Sequence, residues 1–156
     1  MNAAMNTTDP RPARPEDLPA ALALLNAAQL PTEGVAEHFS HFLLSWDAHG
    51  LAGMVGQEPH GDAALLRSLA VRPDARGLGL GMALTRSLLA QAGSQGIQRV
   101  FLLTETASEF FPRFGFHAIP RNTADKAVRD SVEFRSACPQ SAVCMRLDLT
   151  PQSDNG

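Results

Sequence analysis

The residues best suited to chemistry stand in one short run, Arg76-Gly77-Leu78-Gly79-Leu80-Gly81-Met82. An apolar run from Leu65 to Val71 precedes it and is stopped by Pro73, which gives it strand length. After it, Leu80, Ala83, Leu84 and Leu88 recur at the spacing of one helical face. A strand, a glycine turn and a helix start together bind anions. The first helical amides have no partner inside the helix and point into the turn. Glycines let the backbone take positive φ and approach a phosphate closely. The helix dipole adds about 0.3–1 kcal/mol per nearby negative charge, and Arg76 adds a fixed positive charge with forked donors. Two other glycine motifs do not fit. A P-loop needs Gly-Lys-Ser/Thr, and the single lysine, Lys126, is far away. A dinucleotide fingerprint needs glycine where Met82 or Leu84 stands.

Other reactive side chains flank this run. Arg67 sits in the apolar strand two residues before Leu69, so alternation puts both on one face of a sheet. A charge there needs a partner: an internal acid such as Glu133 or Asp62, or a carboxylate of a substrate. Arg135 and Arg121 are further candidates to face a substrate. Glu105 follows an apolar run, Arg99–Thr104, and offers a carboxylate base, a helix cap or a solvated side chain. Thr104 and Thr106 either position water and substrate or cap the segment that follows. Cys138 and Cys144 match no zinc pattern and read as free thiols.

The elements that must position these residues follow from turn and periodicity signals. Residues 1–8 read as a flexible start, 9–149 as one domain and 150–156 as a tail. A short strand near Arg11–Arg14 leads to a helix opened by Pro15-Glu16-Asp17, carrying Leu18, Leu22, Leu25 and Ala28 and ending near Pro31. A brief helix precedes a strand from His41 to Trp46; a second strand runs from Leu51 to Gln57. Pro59-His60-Gly61-Asp62 reads as a turn, and the central strand begins at Ala63. After the central helix Gly96 is a stop, Arg99–Thr104 a buried strand, and Ala107–Phe114 a short helix ended by Gly115. Strands from Phe116 and from Ala142 to Leu149 close the chain, with a polar helical piece between them.

Composition narrows the function classes. With 156 residues, 44% hydrophobic and 19% charged, one globular core is expected. A formal charge of −3 argues against a nucleic-acid partner. No apolar run reaches the roughly 18 residues that span a bilayer, and Met1–Pro10 has no signal-peptide stretch. The expectation is a cytoplasmic monomer or homodimer without membrane contact. Twelve arginines against one lysine read as codon bias more than as function.

The pattern Arg76-x-x-Gly79-x-Gly81, with Leu69-Ala70-Val71-Arg72-Pro73 before it, resembles the coenzyme A signature of the GNAT N-acetyltransferases. The element order β-α-α-β-β-β-α-β-α-β-β is similar to that fold, an α/β (α+β) class with a central mixed, mostly antiparallel sheet flanked by helices. Four further stretches look like the acetyltransferases associated with arsenic resistance: residues 65–71, 102–111, 113–116 and 133–142. Leu103-Thr104 and Phe114-Gly115-Phe116 also resemble the glutamate-type branch.

The resemblance implies acetyl-CoA as cosubstrate, no metal, and a small-molecule amine as acceptor, an amino acid or amino-acid-like toxic compound. It implies cofactor contacts from Leu69, Ala70, Val71, Arg76, Gly77, Leu78, Gly79, Leu80, Gly81, Met82 and Phe111. It further implies an oxyanion donor at the Leu69 amide, Glu105 as base with Thr104 beside it, and acceptor contacts from Arg67, Arg135 and Cys138. Where many members of the family carry a tyrosine acid this chain has Phe111, and it contains no tyrosine at all. The leaving thiolate must draw its proton from water, from the acceptor ammonium or from another side chain, Cys138 and Ser136 among them. A non-catalytic acyl-CoA-binding module, and acetylation of a protein or aminoglycoside, are the alternative readings.

Overall fold

The computed structural model describes residues 7–137 and 141–149. Its elements run β1 (Arg11–Pro12), α1 (Leu18–Ala27), α2 (Val35–His38), β2 (Phe42–Asp47), β3 (Gly50–His60), β4 (Ala63–Val71), α3 (Leu80–Ser94), β5 (Arg99–Thr104), β6 (His117–Ile119), α4 (Lys126–Arg129) and β7 (Val143–Asp148). The strands form one seven-stranded sheet in the order β1-β2-β3-β4-β5-β7-β6. The β1–β2, β2–β3, β5–β7 and β6–β7 pairs are antiparallel, and β4 pairs with β5 in parallel from Ala63↔Arg99 to Leu65↔Phe101. A mixed, mostly antiparallel sheet with helices is the expected class.

The chain divides into two compact units, one of residues up to Gln57 with Ser68–Leu89, the other of Glu58–Arg67 with residues from Ala90 onward. The first has its own core. Ala21, Leu24 and Leu25 of α1 pack with Val35, Phe39, Phe42, Leu44, Leu51, Met54 and Ala70. Glycine makes room within it: the Phe42 ring occupies the place a Cβ on Gly56 would take. The second unit buries Ala63 and Leu65 of β4 with Phe101, Ala124, Val128, Phe134 and Cys144. Each large apolar side chain fully buried this way contributes about 1.5–3 kcal/mol.

Helix ends follow identifiable rules. At the C-terminus of α3, Gly96 takes φ +87° and the Ile97 amide donates to the Ala92 carbonyl at 3.0 Å, a six-to-one closure. The first helix ends the same way without glycine: Gln29 takes φ +60° and the Leu30 amide donates to Leu25 at 3.0 Å.

Three local expectations need correction. Ala83 is exposed, and the buried face of α3 carries Leu80, Leu84, Thr85, Leu88 and Ala92. Pro59 and His60 continue β3 instead of turning. Ala107–Phe114 is a turn followed by a 3-10 helix, Phe111–Phe114, with i→i−3 bonds from Phe110, Arg113 and Gly115. Pro112 lies in its middle and has no N–H to donate, which stops an α-helical ladder there.

Candidate functional site

In the first unit the glycine turn is braced from its N-terminal side. The Arg72 amide donates to Ala52 O at 2.8 Å, and its guanidinium reaches both Asp47 oxygens at 2.5 and 3.1 Å, Leu51 O at 3.0 Å and Asp74 at 2.5 Å. Asp47 is almost fully buried, with a side chain 4% exposed. Its carboxyl is held below the ordinary range, chiefly by the hydrogen bonds from Arg72, with burial opposing and the His49 amide assisting. The same bonds push the Arg72 guanidinium still higher. Arg76, exposed, turns its Nε back onto the Val71 carbonyl at 2.9 Å. The arginine expected to supply charge to a phosphate therefore also fixes the mouth of the turn.

Gly77 and Gly79 take φ +84° and +81°, and a Cβ on either would meet no atom within 4 Å. Glycine is needed there for backbone conformation and not for space. Leu78 between them is 52% exposed. The Ala83 amide closes onto Gly79 O at 3.0 Å, so the amides of Leu80, Gly81 and Met82 precede the first intrahelical bond and have no partner in the helix. Underneath, a Cβ on Gly53 would lie 2.9 Å from Leu84 Cδ1 and 3.0 Å from Leu80 Cδ2. Only glycine lets α3 sit this close to β3. An open turn of two left-handed glycines at the start of a 15-residue helix fits a pyrophosphate.

The strand leading in is not regular. Ser68 takes φ +62° and is buried, a left-handed residue that costs about 1–2 kcal/mol outside glycine. It breaks the alternation that was to place Arg67 and Leu69 on one face. Leu69 and Val71 are half-buried, while Ala70 joins the core.

In the second unit Arg67 is fully buried and held by two carboxylates. Its Nη1 donates to Glu58 Oε2 at 2.6 Å, and its Nε lies 3.3 Å from Glu133 Oε2. The side chains of Arg67, Glu58 and Glu133 are 0%, 3% and 5% exposed. His60, 21% exposed, brings Nε2 within 3.4 Å of Glu58 Oε1. Of the two acids expected for Arg67, Glu133 is a partner. Asp62 instead binds Arg99 at 2.6 Å, in a group that includes Asp125 at 2.8 Å. Glu58 was missed; it stands between the strand read to Gln57 and the turn read from Pro59, and gave no signal.

Thr104 is buried, and its Oγ1 accepts the Ala107 amide at 2.9 Å, so it caps the following turn. Glu105 is exposed, with the Ser141 hydroxyl 3.4 Å from its Oε2. Phe111 is buried among Phe110 and Phe116, at ring distances of 5.1 and 5.7 Å; this is packing, where a cofactor contact was also expected. Arg121 donates to Phe134 O at 2.9 Å and lies over that ring. Arg135 is exposed and donates to Asp130 O at 2.8 Å. Cys144 is buried, which pushes its thiol up to about 11. Cys138 lies outside the described residues. Among those described, no group of three or more His, Cys, Asp or Glu side chains could hold a metal ion, and no helix is long and apolar enough to cross a membrane.

The sequence profile of the acetyltransferase (GNAT) domain matches residues 38–118, more than half of the 156-residue chain. The chain belongs to the GNAT acetyltransferase family. Its matched region takes in the glycine turn and both flanking elements. Among solved structures, this GNAT chain is similar to N-acetylglutamate synthase from Neisseria gonorrhoeae complexed with coenzyme A and L-arginine, at 24% identity and TM-score 0.76, covering 92% of this chain and 33% of that one. Thus the chain spans about a third of the length of that synthase. It is also similar to Rv2747 from Mycobacterium tuberculosis, solved in complex with CoA, at 25% identity and TM-score 0.75 over 90% of this chain and 99% of that one. The ribosomal-protein-S18-alanine N-acetyltransferase from Escherichia coli shares the fold at 19% identity and TM-score 0.69, covering 96% and 98%.

Proposed function

We propose that the protein is an acetyl-CoA-dependent N-acetyltransferase that acetylates the amine of a small molecule, an amino acid or an amino-acid-like toxic compound. The observation that carries this reading is the turn at the start of α3. Gly77 and Gly79 in left-handed conformations and the amides of Leu80, Gly81 and Met82, which precede the first intrahelical bond, suit a pyrophosphate, in a chain of the GNAT family. Solved relatives with CoA bound support the same choice of cosubstrate. The pantetheine arm would follow Leu69, Ala70 and Val71, and the Leu69 amide would stabilise the oxyanion, a contribution of about 2.7–4 kcal/mol for one such donor elsewhere. Glu105, exposed and 3.4 Å from the Ser141 hydroxyl, would serve as the base toward the acceptor or a water, whereas the Thr104 hydroxyl is occupied as a cap.

A carboxylate on the acceptor would meet Arg135 or Arg121, since Arg67 already holds two carboxylates. The link to arsenic resistance rests on sequence resemblance at residues 65–71, 102–111, 113–116 and 133–142. The test is thiol release from acetyl-CoA with amino acids, amino-acid-like toxins and polyamines as acceptors. Release stimulated by one acceptor class is the expected result. Binding of acetyl-CoA without release for any acceptor would favour a non-catalytic module.

A further inference from the structure

In the first unit Arg72 engages every nitrogen it has, and its carbonyl. Its amide donates to Ala52 O at 2.8 Å, and its carbonyl accepts the Ala75 amide at 2.8 Å. Nε donates to Asp74 at 2.5 Å, Nη1 to Leu51 O at 3.0 Å and to Asp47 Oδ1 at 3.1 Å, and Nη2 to Asp47 Oδ2 at 2.5 Å. We propose that Asp47 and Arg72 are positioning residues for the cosubstrate: their ion pair sets the point from which the chain enters the glycine turn, and so sets acetyl-CoA affinity without touching the ligand. The inference rests on the reading of that turn as the acetyl-CoA site.

Four residues, Pro73 to Arg76, separate Arg72 from Gly77. They have little freedom. Pro73 has a fixed φ, Pro73–Ala75 form a 3-10 turn, Ala75 is buried, and Arg76 Nε returns to Val71 O at 2.9 Å. A segment this stiff passes a displacement of Arg72 on to Gly77 and to the amides that follow Gly79. Hydrogen bonds from amides weaken steeply as their angles are lost, so a turn that binds through its backbone depends on that placement. Asp47 places Arg72 in its turn. It ends β2, paired with Gly50 of β3, and its two oxygens meet the guanidinium as a fork. Oδ1 also accepts the His49 amide at 2.8 Å, which fixes the carboxylate from its other side. With a side chain 4% exposed, Asp47 offers a ligand almost no surface. Asp47 and Asp74 together offset the charge of Arg72, so the group does not draw an anion by charge. Its effect on the cosubstrate is geometric.

The test is a calorimetric titration of acetyl-CoA into the full chain at neutral pH, well below the unfolding midpoint measured for each variant. It compares wild type, Asp47→Asn, Arg72→Lys and, as a control, Asp125→Asn. The control breaks a similar pair in the other unit, Arg99 with Asp125 at 2.8 Å. Asp47→Asn is expected to weaken binding about ten- to a hundredfold, although it removes a negative charge from the neighbourhood of a polyanion. Arg72→Lys keeps the positive charge but loses the fork, and should weaken binding similarly. Asp125→Asn should bind like wild type. In thiol release with the acceptor that stimulates it, KM for acetyl-CoA should rise in the two turn variants, while kcat at saturating acetyl-CoA and KM for the acceptor stay at wild-type values. A folded Asp47→Asn that binds as tightly as wild type, or more tightly as charge alone would dictate, overturns the inference. Wild-type affinity in Arg72→Lys would make Arg72 a point charge and overturns it too. Equal weakening in Asp125→Asn would mark a general effect of lost stability, with the same consequence. If Asp47→Asn does not fold, Arg72→Lys decides. A wild type that binds no acetyl-CoA overturns the cofactor reading, and the inference with it.

Discussion

Residues 69–82 offer a ligand their backbone, whereas Glu58, Arg67 and Glu133 offer only side chains. In the glycine turn the working groups are amides, and side chains serve to shape them: Arg72 and Arg76 brace the loop, and Gly77 and Gly79 supply its conformation. In the buried ion group Glu58 and Arg67 stand on strands and Glu133 opens a π-helical turn, and the group depends on one guanidinium placed between two acids. A site made of backbone tolerates exchange of most side chains but not of its glycines. A site made of buried charges fails when any one charge is removed.

The largest expected effect tests the second half of that contrast. Arg67→Met leaves Glu58 and Glu133 buried without their cation and should cost about 3–5 kcal/mol of folding stability. Replacing all three together, Arg67→Met with Glu58→Gln and Glu133→Gln, should recover much of that loss. Urea denaturation at neutral pH measures both. Equal instability of the single and triple variants would mean that the packing, not the charge, is at stake.

Gly79→Ala addresses the first half. Nothing within 4 Å obstructs the new Cβ, so the cost is the left-handed backbone, about 1–2 kcal/mol. Affinity for acetyl-CoA should fall about five- to thirtyfold, with the fold intact by circular dichroism. Unchanged affinity would separate the turn from the cofactor.

Much of the first region is legible in sequence because its parts are contiguous and each residue type has a local meaning. The strand before Pro73, the glycines and the apolar face of α3 can be read in order. The β5 boundaries, Arg99–Thr104, follow from an apolar run of strand length. The ion group is legible only in part: a buried arginine asks for an acid and Glu133 was a candidate, whereas Glu58 gave no signal, since only tertiary structure brings it to Arg67. Single residues in left-handed conformations are equally silent when they are not glycine. Ser68 interrupts the alternation of β4, and Gln29 ends α1, with nothing in either side chain to announce it. Pro112 did carry a signal, since its missing donor explains why a 3-10 turn stands where a helix was expected.

A smaller effect concerns the brace. Asp47 has its folded pKa depressed by Arg72. Its contribution to stability is present above the unfolded carboxylate value of about 3.9 and is lost as the pH falls through the lower folded value. Asp47→Asn should therefore narrow the stability difference between about pH 7 and about pH 3, read by thermal unfolding at each pH. Smallest is Gln29→Gly, which relieves a left-handed non-glycine residue at a helix end and should raise stability by about 0.5–1 kcal/mol. A loss on that change would indicate contacts of the Gln29 side chain that outweigh its backbone cost.

The most direct measurement is a calorimetric titration of acetyl-CoA into the wild-type protein and Glu58→Gln. The expected result is one site per chain with the same affinity in both, because on the proposed reading the cofactor would be held by the backbone of residues 69–82. No binding to wild type, or binding abolished in a folded Glu58→Gln, would contradict the division between a cofactor region made of backbone and an ion group made of buried side chains.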